Sequence, residues 1–486
     1  MALPTENKEN DTICAIATAM SEAGIGIIRI SGPRAIEIGD RLFRNARGEA
    51  TLHSAAANTI RFGRIVNPDR PQEAVDEVMV SVLRAPHSYT TEDTVEINSH
   101  GGIYVMNRVL SCVLRCGARL AEPGEFTKRA YLGGRIDLSE AEAVMDLISS
   151  QNEFARKNSL SQLSGALSRQ IRAMREAVLY ELAFIESALD DPENFDTDGY
   201  PARLRGKLCG LLIEIDRLLA HADEGQVLKD GIRTVIVGRP NAGKSSLLNY
   251  LAGQERAIVT EIPGTTRDTL EETVRMDGVL LRLVDTAGIR ETDDAVEKIG
   301  VERARRAAAE ADLLLYLIDG SAPLTAEDRE IAALVESALR EGKKAIVLCN
   351  KSDLGEAVTE DEVRALFRAG EECARQECSA KPFILTVSLK TQTGLDLLRA
   401  AIESLFHAGE LLQNAEVYLT NARHKEALQR ARESLTLVTE SIDKGLGEDF
   451  YSIDLMNAYA ALGEILGEQV DDDLVEEIFS KFCLGK

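Results

Sequence analysis

The chain has 486 residues, 44% hydrophobic and 28% charged, with 56 Lys and Arg against 80 Asp and Glu for a net charge of −24. At about 150 residues per domain the length points to roughly three domains, and the composition excludes collagen-like, mucin-like and wholly disordered chains. No apolar run approaches the ~18 residues of a membrane span, and so acidic a chain opposes non-specific attachment to nucleic acid or anionic membrane.

The first twenty residues lack a basic region followed by an apolar stretch, so no secretory signal is expected. The eight cysteines are scattered without a C-x-x-C pair, and no histidine lies close to Cys112 and Cys116. That usage predicts free thiols in a reducing cytoplasm rather than zinc or disulfides. Residues 1–134 read as mixed α/β, with short apolar runs at Gly26–Ile30, Thr59–Phe62, Val78–Leu83 and Thr94–Ile97 and a helix from Tyr104 to Cys116. From Leu138 the chain turns rich in Ala, Leu, Glu, Gln and Arg. Ser139 begins S-E-A-E, a capping-box pattern that opens a long run of period 3.6. A break at Asp190–Asn194 precedes a second helical run from Ala202 to Ala222.

From Gly231 buried-strand runs alternate with helical ones. Strands are predicted at Thr234–Val237, Leu280–Val284, Leu313–Ile318, Ala345–Leu348 and Ile384–Val387. Helices are predicted at Ser245–Ala252, Thr325–Arg340 with Thr325 as cap and Asp328 three residues on, Asp361–Phe367 and Leu395–Phe406. This alternation predicts a doubly wound parallel sheet. After Ala408 the chain is helical again to Phe482. The expected organisation is α/β multidomain, with a doubly wound domain at 231–408 inserted into an all-α helical domain at 135–230 and 409–486, behind an N-terminal α+β domain at 1–134.

Gly238–Ser245 reads G-R-P-N-A-G-K-S, the phosphate-loop pattern, between a strand and a helix. Backbone N–H groups of Asn241, Ala242, Gly243, Lys244, Ser245 and Ser246 can converge on phosphate oxygens. The Lys244 ammonium suits the β- and γ-phosphates, and the Ser245 hydroxyl suits Mg2+. Asp285-Thr286-Ala287-Gly288 follows a strand, where a carboxylate can hold hydrated Mg2+ and the glycine N–H can sense a γ-phosphate; alone it also reads as an ordinary Asp turn. Asn350-Lys351-Ser352-Asp353 follows another strand, and the Asp353 carboxylate can accept from both guanine N1–H and N2–H2, a donor pair adenine lacks. Ser388, Leu389 and Lys390 form a second base-contacting loop or a plain strand-to-helix turn. The four motifs match Ras-like GTPases in order. Ile289 stands where that type places a water-orienting Gln. Thr266, in the switch loop Thr260–Asp268, could complete the Mg2+ shell.

Asn241, G-T-T-R-D at 264–268 and D-T-A-G-I-R at 285–290 make the chain resemble the potassium-activated GTPases, and among these the MnmE (TrmE) family of tRNA modification GTPases. The resemblance extends through G-I-G-I-I-R-I-S-G at 24–32, S-Y-T-T-E-D at 88–93, P-G-E-F-T at 123–127 and the ending F-C-L-G-K at 482–486. It implies K+ held by Asn241, Thr260, Ile262 and Thr265, with Glu261, Pro263 and Gly264 in the same nucleotide-binding loop, and Glu297 as the carboxylate that orients water. It implies a folate-binding-like N-terminal dimerisation domain whose contacts fall on Arg29, Glu96, Arg135 (Lys in the family) and Lys486, with 5-formyl- or methylene-tetrahydrofolate as carbon donor. Cys483 becomes a candidate functional thiol. The implied protein is a cytoplasmic homodimer that works with the flavoprotein MnmG, in a heterotetramer or larger complex, to add an aminomethyl-type or carboxymethylaminomethyl group at C5 of the wobble uridine of tRNA. The competing reading is a ribosome-assembly GTPase, an RNA-binding switch without folate chemistry, although no G-x-x-G clamp in a KH-like setting and no basic tail is evident.

Overall fold

A computed structural model describes residues 11–191, 193–194, 198–253, 272–276, 279–284, 306–355, 357–367, 381–406, 418–468, 470–483 and 485. The chain divides into two compact units, one drawn from Met1–Met145, Gln162–Asp196 and Leu446–Lys486, the other from Asp146–Ser161 and Thr197–Gly445.

The first unit is built on β1 (Ile13–Ile16), β2 (Ala23–Ser31), β3 (Phe43–Arg44), β4 (Thr59–Asn67), β5 (Arg70–Leu83), β6 (Thr94–Gly101) and β7 (Arg119–Leu120). They form one sheet in the order β3-β4-β5-β6-β2-β1-β7, antiparallel except for the β1–β7 pair. Side chains alternate between faces, as strand geometry requires. Ile28 and Ile30 of β2, with Val95 and Ile97 of β6, join a core that includes Ile38 and Leu42 of the helix Ala35–Leu42 and Met106, Val109 and Val113 of the helix Ile103–Arg115. Arg29 and Glu96, between those pairs, lie directly opposite each other in the register and face the other way. On that side a smaller cluster gathers Ile13, Ala15, Ala121 and Phe126, with Tyr89 packed against it. The helix Ala166–Asp190 packs on Glu448–Leu466, where Arg175 stacks 4.1 Å from the Tyr459 ring centroid and pairs with Glu468.

The helix Leu138–Ser149 begins with a different cap from the one expected. Asp137 Oδ1 accepts from the Glu140 N–H at 3.0 Å, and Glu140 Oε2 accepts from the Asp137 N–H at 2.9 Å. Ser139 is wholly buried inside the first turn and donates its hydroxyl to Asp137 at 2.8 Å. Aspartate caps as well as serine, and D-L-S-E carries the same i, i+3 pattern two residues earlier.

The second unit is built on β8 (Ile232–Gly238), β9 (Glu272–Met276), β10 (Val279–Leu283), β11 (Leu313–Asp319), β12 (Lys344–Asn350) and β13 (Phe383–Thr386), in the order β13-β12-β11-β8-β10-β9. Five strands run parallel, as the alternation predicts; β9, unforeseen, pairs antiparallel with β10 at the edge. Helices cover both faces. One core includes Leu247 and Leu251 of Lys244–Gly253 and Leu398 and Ile402 of Leu395–Leu405. The other includes Ala332 and Val335 of Ala326–Arg340, whose Thr325–Asp328 capping box forms as the sequence predicts. Phe154 and Leu228, from helical stretches earlier in the chain, complete the first of these cores, and Asn158 exchanges two hydrogen bonds with the Tyr418 backbone, at 3.0 and 3.1 Å. Among the described residues no helix is long and apolar enough to cross a membrane.

Candidate functional site

The strand β8 delivers the chain to Gly238, and the helix Lys244–Gly253 takes it away again. The loop between needs left-handed backbone: φ is +154° at Gly238, +62° at Asn241 and +110° at Gly243. A Cβ on Gly238 would meet the Leu317 carbonyl oxygen at 2.5 Å, and one on Gly243 would meet Asn350 Nδ2 at 2.3 Å, so both positions exclude any side chain. Lys244 Nζ curls back over the loop, donating to the carbonyls of Gly238 and Arg239 at 2.6 and 2.9 Å. Its burial pulls its pKa below the ordinary lysine value. Ser245 and Ser246 are exposed in the first helical turn. A concave run of backbone donors at a helix start, with an ammonium beside it, is suited to polyanionic phosphate.

Asn350 ends β12 and is buried. Its Nδ2 donates to the Ala242 carbonyl at 2.8 Å and its Oδ1 accepts from the Leu389 N–H at 3.1 Å. One side chain thus joins the phosphate loop to both loops proposed to read the base. Ser388 donates its hydroxyl to Asp353 Oδ1 at 2.7 Å, and Lys390 Nζ lies 3.9 Å from Oδ2. The serine fixes the rotation of the carboxylate, which leaves a planar acceptor edge matched to two parallel N–H donors. Lys351 holds φ at +68° and donates to Asp319 Oδ2 at 2.7 Å. Asp319 was not among the sequence candidates. Partial burial pushes its carboxyl upward, but hydrogen bonds from Lys351 and Ser321 outweigh that and hold it below the ordinary value. The only trace in the sequence is D-G directly after the Leu313–Ile318 run.

Thr260, Glu261, Ile262, Pro263, Gly264, Thr265, Thr266, Asp285, Thr286, Ala287, Gly288, Glu297 and Lys486 lie outside the described residues.

In the first unit the structure brings Arg29 and Arg135 together at Tyr89, with Glu96 held on Arg29. Arg29 Nε donates to Glu96 Oε1 at 2.8 Å, and its guanidinium lies 5.6 Å from the ring centroids of both Tyr89 and Phe126. Arg135 stacks 4.8 Å from the Tyr89 centroid and donates to the Tyr89 carbonyl at 3.0 Å. Arg29 Nη1 also donates to the carbonyl of Gly485 at 3.2 Å, so the end of the chain reaches this cluster. Cys483 is exposed, and its carbonyl accepts from the Gly124 N–H at 3.4 Å. Two cations on an aromatic platform suit a planar, carboxylate-bearing ligand. The sequence marks Tyr89 only through its S-Y-T-T-E-D context, part of the resemblance, and not as a site residue.

A family model described as the MnmE helical domain matches residues 138–483, and one described as the GTP-binding protein TrmE N-terminus matches residues 12–135. The tRNA modification GTPase MnmE of Lachnoclostridium phytofermentans is 50% identical over 478 residues, spanning 98% of this chain and 100% of that protein. The proteins of the same name from Geobacillus thermodenitrificans and Bacillus subtilis are 47% and 46% identical, each over 98% of this chain and 100% of theirs.

Proposed function

Because this chain belongs to the MnmE family of tRNA modification GTPases, we propose that its GTP hydrolysis drives a modification at C5 of the wobble uridine of tRNA, carried out with the flavoprotein MnmG in the cytoplasm. The observation that supports the nucleotide assignment best is Asn350, whose one amide group ties the phosphate loop to both base-reading loops. In this reading Lys244 exchanges the Gly238 and Arg239 carbonyls for β- and γ-phosphate oxygens, and Asp353, held by Ser388, accepts from the guanine edge. Ser245 fits a Mg2+ ligand by its exposed place at the helix start, and Asn241 fits a K+ ligand by its left-handed place in the loop. Bound there, the two cations would supply positive charge to the phosphates. Glu297 orients water, and two copies of the chain meet to complete the cation site. Arg29 and Arg135 bind carboxylates of a tetrahydrofolate, the carbon donor, and Glu96 accepts from its pterin amine. The donor set fits because both guanidinium groups lie against the Tyr89 ring and the Glu96 carboxylate is held beside one of them, on Arg29.

GTP turnover measured in KCl and in NaCl, with the oligomeric state followed alongside, tests the cation reading. Faster turnover and self-association in KCl are expected; equal rates from a monomer throughout would reject it. Mass spectrometry of tRNA incubated with this protein, the flavoprotein, GTP, a tetrahydrofolate as carbon donor and ammonium or an amino acid as the nitrogen source tests the chemistry. New mass on the wobble uridine only when all components are present is expected, and unmodified tRNA would reject the proposal.

A further inference from the structure

The strand order places β11 between β8, which feeds the phosphate loop, and β12, which feeds the Asn350–Asp353 loop. In the register Leu317 pairs with Gly238 and Asp319 pairs with Asn350. The C-terminal end of β11 therefore lies between the two nucleotide loops, and Asp319 is its last residue. Four groups converge on its carboxylate. Lys351 Nζ donates to Oδ2 at 2.7 Å, and the Ser321 hydroxyl and N–H donate to Oδ1 at 2.6 and 3.1 Å. From the phosphate loop, Arg239 Nη2 lies 3.9 Å from Oδ2. The other guanidinium nitrogen of Arg239 lies 3.6 Å from Asp328, a wholly buried carboxylate in the capping box of Ala326–Arg340. Arg239 is thus held from two sides, and its side chain is only 13% exposed.

A lysine has a flexible four-carbon stem and no preferred direction for its donors. Lys351 nonetheless follows directly on Asn350, which fastens the loop, and stands two residues before Asp353, the proposed base acceptor. We propose that Asp319 is a positioning residue for guanine-nucleotide recognition: it fixes the Lys351 side chain along the base site and, by sharing its carboxylate with Arg239, ties that placement to the phosphate loop. Ser321 fixes the rotation of the carboxylate, so both cations meet a preset acceptor. The inference rests on the reading of Asn350–Asp353 as the base reader.

The test uses the full-length protein and a fluorescent GDP, with GTP turnover measured in parallel. Asp319→Asn keeps the shape and an acceptor for Ser321 but removes the charge that holds Lys351. Its expected effect is a Kd raised about tenfold and a KM raised in step, with kcat changed less than about twofold, because an interaction equal in ground and transition states moves KM alone. Lys351→Met is expected to weaken binding as well, and adding Asp319→Asn to it is expected to cost nothing further. Unchanged affinity in Asp319→Asn overturns the inference. So does a loss of the same size in the Lys351→Met background, which would show that Asp319 acts elsewhere, and so does a fall in kcat without a change in KM. If Lys351→Met itself binds like the parent, the base-reader assignment fails and the inference falls with it. Should Asp319→Asn not fold, Ser321→Ala serves instead: a smaller rise in Kd that vanishes in the Lys351→Met background supports the inference, and a rise that persists there overturns it.

Discussion

Asn350 and Ala242 stand 108 positions apart in sequence and share one 2.8 Å hydrogen bond, which closes the phosphate loop onto the end of β12. Removing the amide by Asn350→Ala leaves the Ala242 carbonyl and the Leu389 N–H without this partner, a cost of about 1–3 kcal/mol. GTP affinity is expected to fall at least about tenfold, since about 1.4 kcal/mol is a factor of ten. Titration with a fluorescent nucleotide checks it; parent-like affinity would separate Asn350 from nucleotide binding.

The first unit carries a charge network that titrates in acid. Arg129 Nη2 pairs with Asp11 at 2.5 Å and Glu125 at 3.0 Å, and Arg119 pairs with the same two carboxylates at 2.6 and 2.7 Å. Burial raises the pKa of Asp11 and Glu125, but the arginine hydrogen bonds outweigh it and hold both below their ordinary 3.8 and 4.5. A depressed folded pKa adds stability that is present above the unfolded value and is lost as pH falls through the folded one. The urea midpoint of the first unit is therefore expected to drop as pH falls below about 4.5, and Arg129→Met is expected to flatten that drop. A variant whose acid limb tracks the parent would remove the network as its cause.

Among the described residues the thiols divide by exposure. Cys209 and Cys483 are exposed, whereas Cys14, Cys112, Cys116 and Cys349 are buried. Burial pushes the Cys14 thiol up to about 12, so it is protonated at neutral pH. Iodoacetamide on the native protein is expected to label Cys209 and Cys483 quickly and Cys14 only after denaturation, read by peptide mass mapping. Rapid native labelling of Cys14 would contradict the packing of β1.

Asp137→Ala is expected to destabilise the first unit by about 1–2 kcal/mol, the usual cost of a lost N-cap. It also strips the Arg172 ion pair, at 3.1 Å, and the acceptor of buried Ser139. Asp137→Ser, which keeps a capping oxygen, is expected to recover part of the loss in urea unfolding. Equal stability of the alanine variant and the parent would return the cap to another residue.

Much of this fold was legible because buried parallel strands read as short, uninterrupted apolar runs. Leu313–Ile318 and Ala345–Leu348 appear as β11 and β12 with one and three residues added. The Thr325–Asp328 cap was equally plain, since its two partners are three residues apart. The helix Ala35–Leu42 and the strand β9 escaped, the first short and the second without a clean alternation of its own. The site separated along the same line. Motifs made of neighbouring residues announced Lys244, Asn350 and Asp353. Asp319 is paired with Lys351 across 32 positions, and Tyr89 lies 5.6 and 4.8 Å from two arginines distant in sequence; both depend on tertiary placement, which no local pattern encodes.

The hydrogen bond from Arg29 to the Gly485 carbonyl spans 456 positions. Each doubling of a closed loop adds only about 0.6 kcal/mol of entropy cost, so so wide a span is thermodynamically tolerable. Its consequence is temporal. During synthesis Arg29 and Arg135 emerge before the nucleotide-binding sheet, and Gly485 emerges after it. A nascent chain halted within the second unit would therefore hold Arg29 without its Gly485 partner.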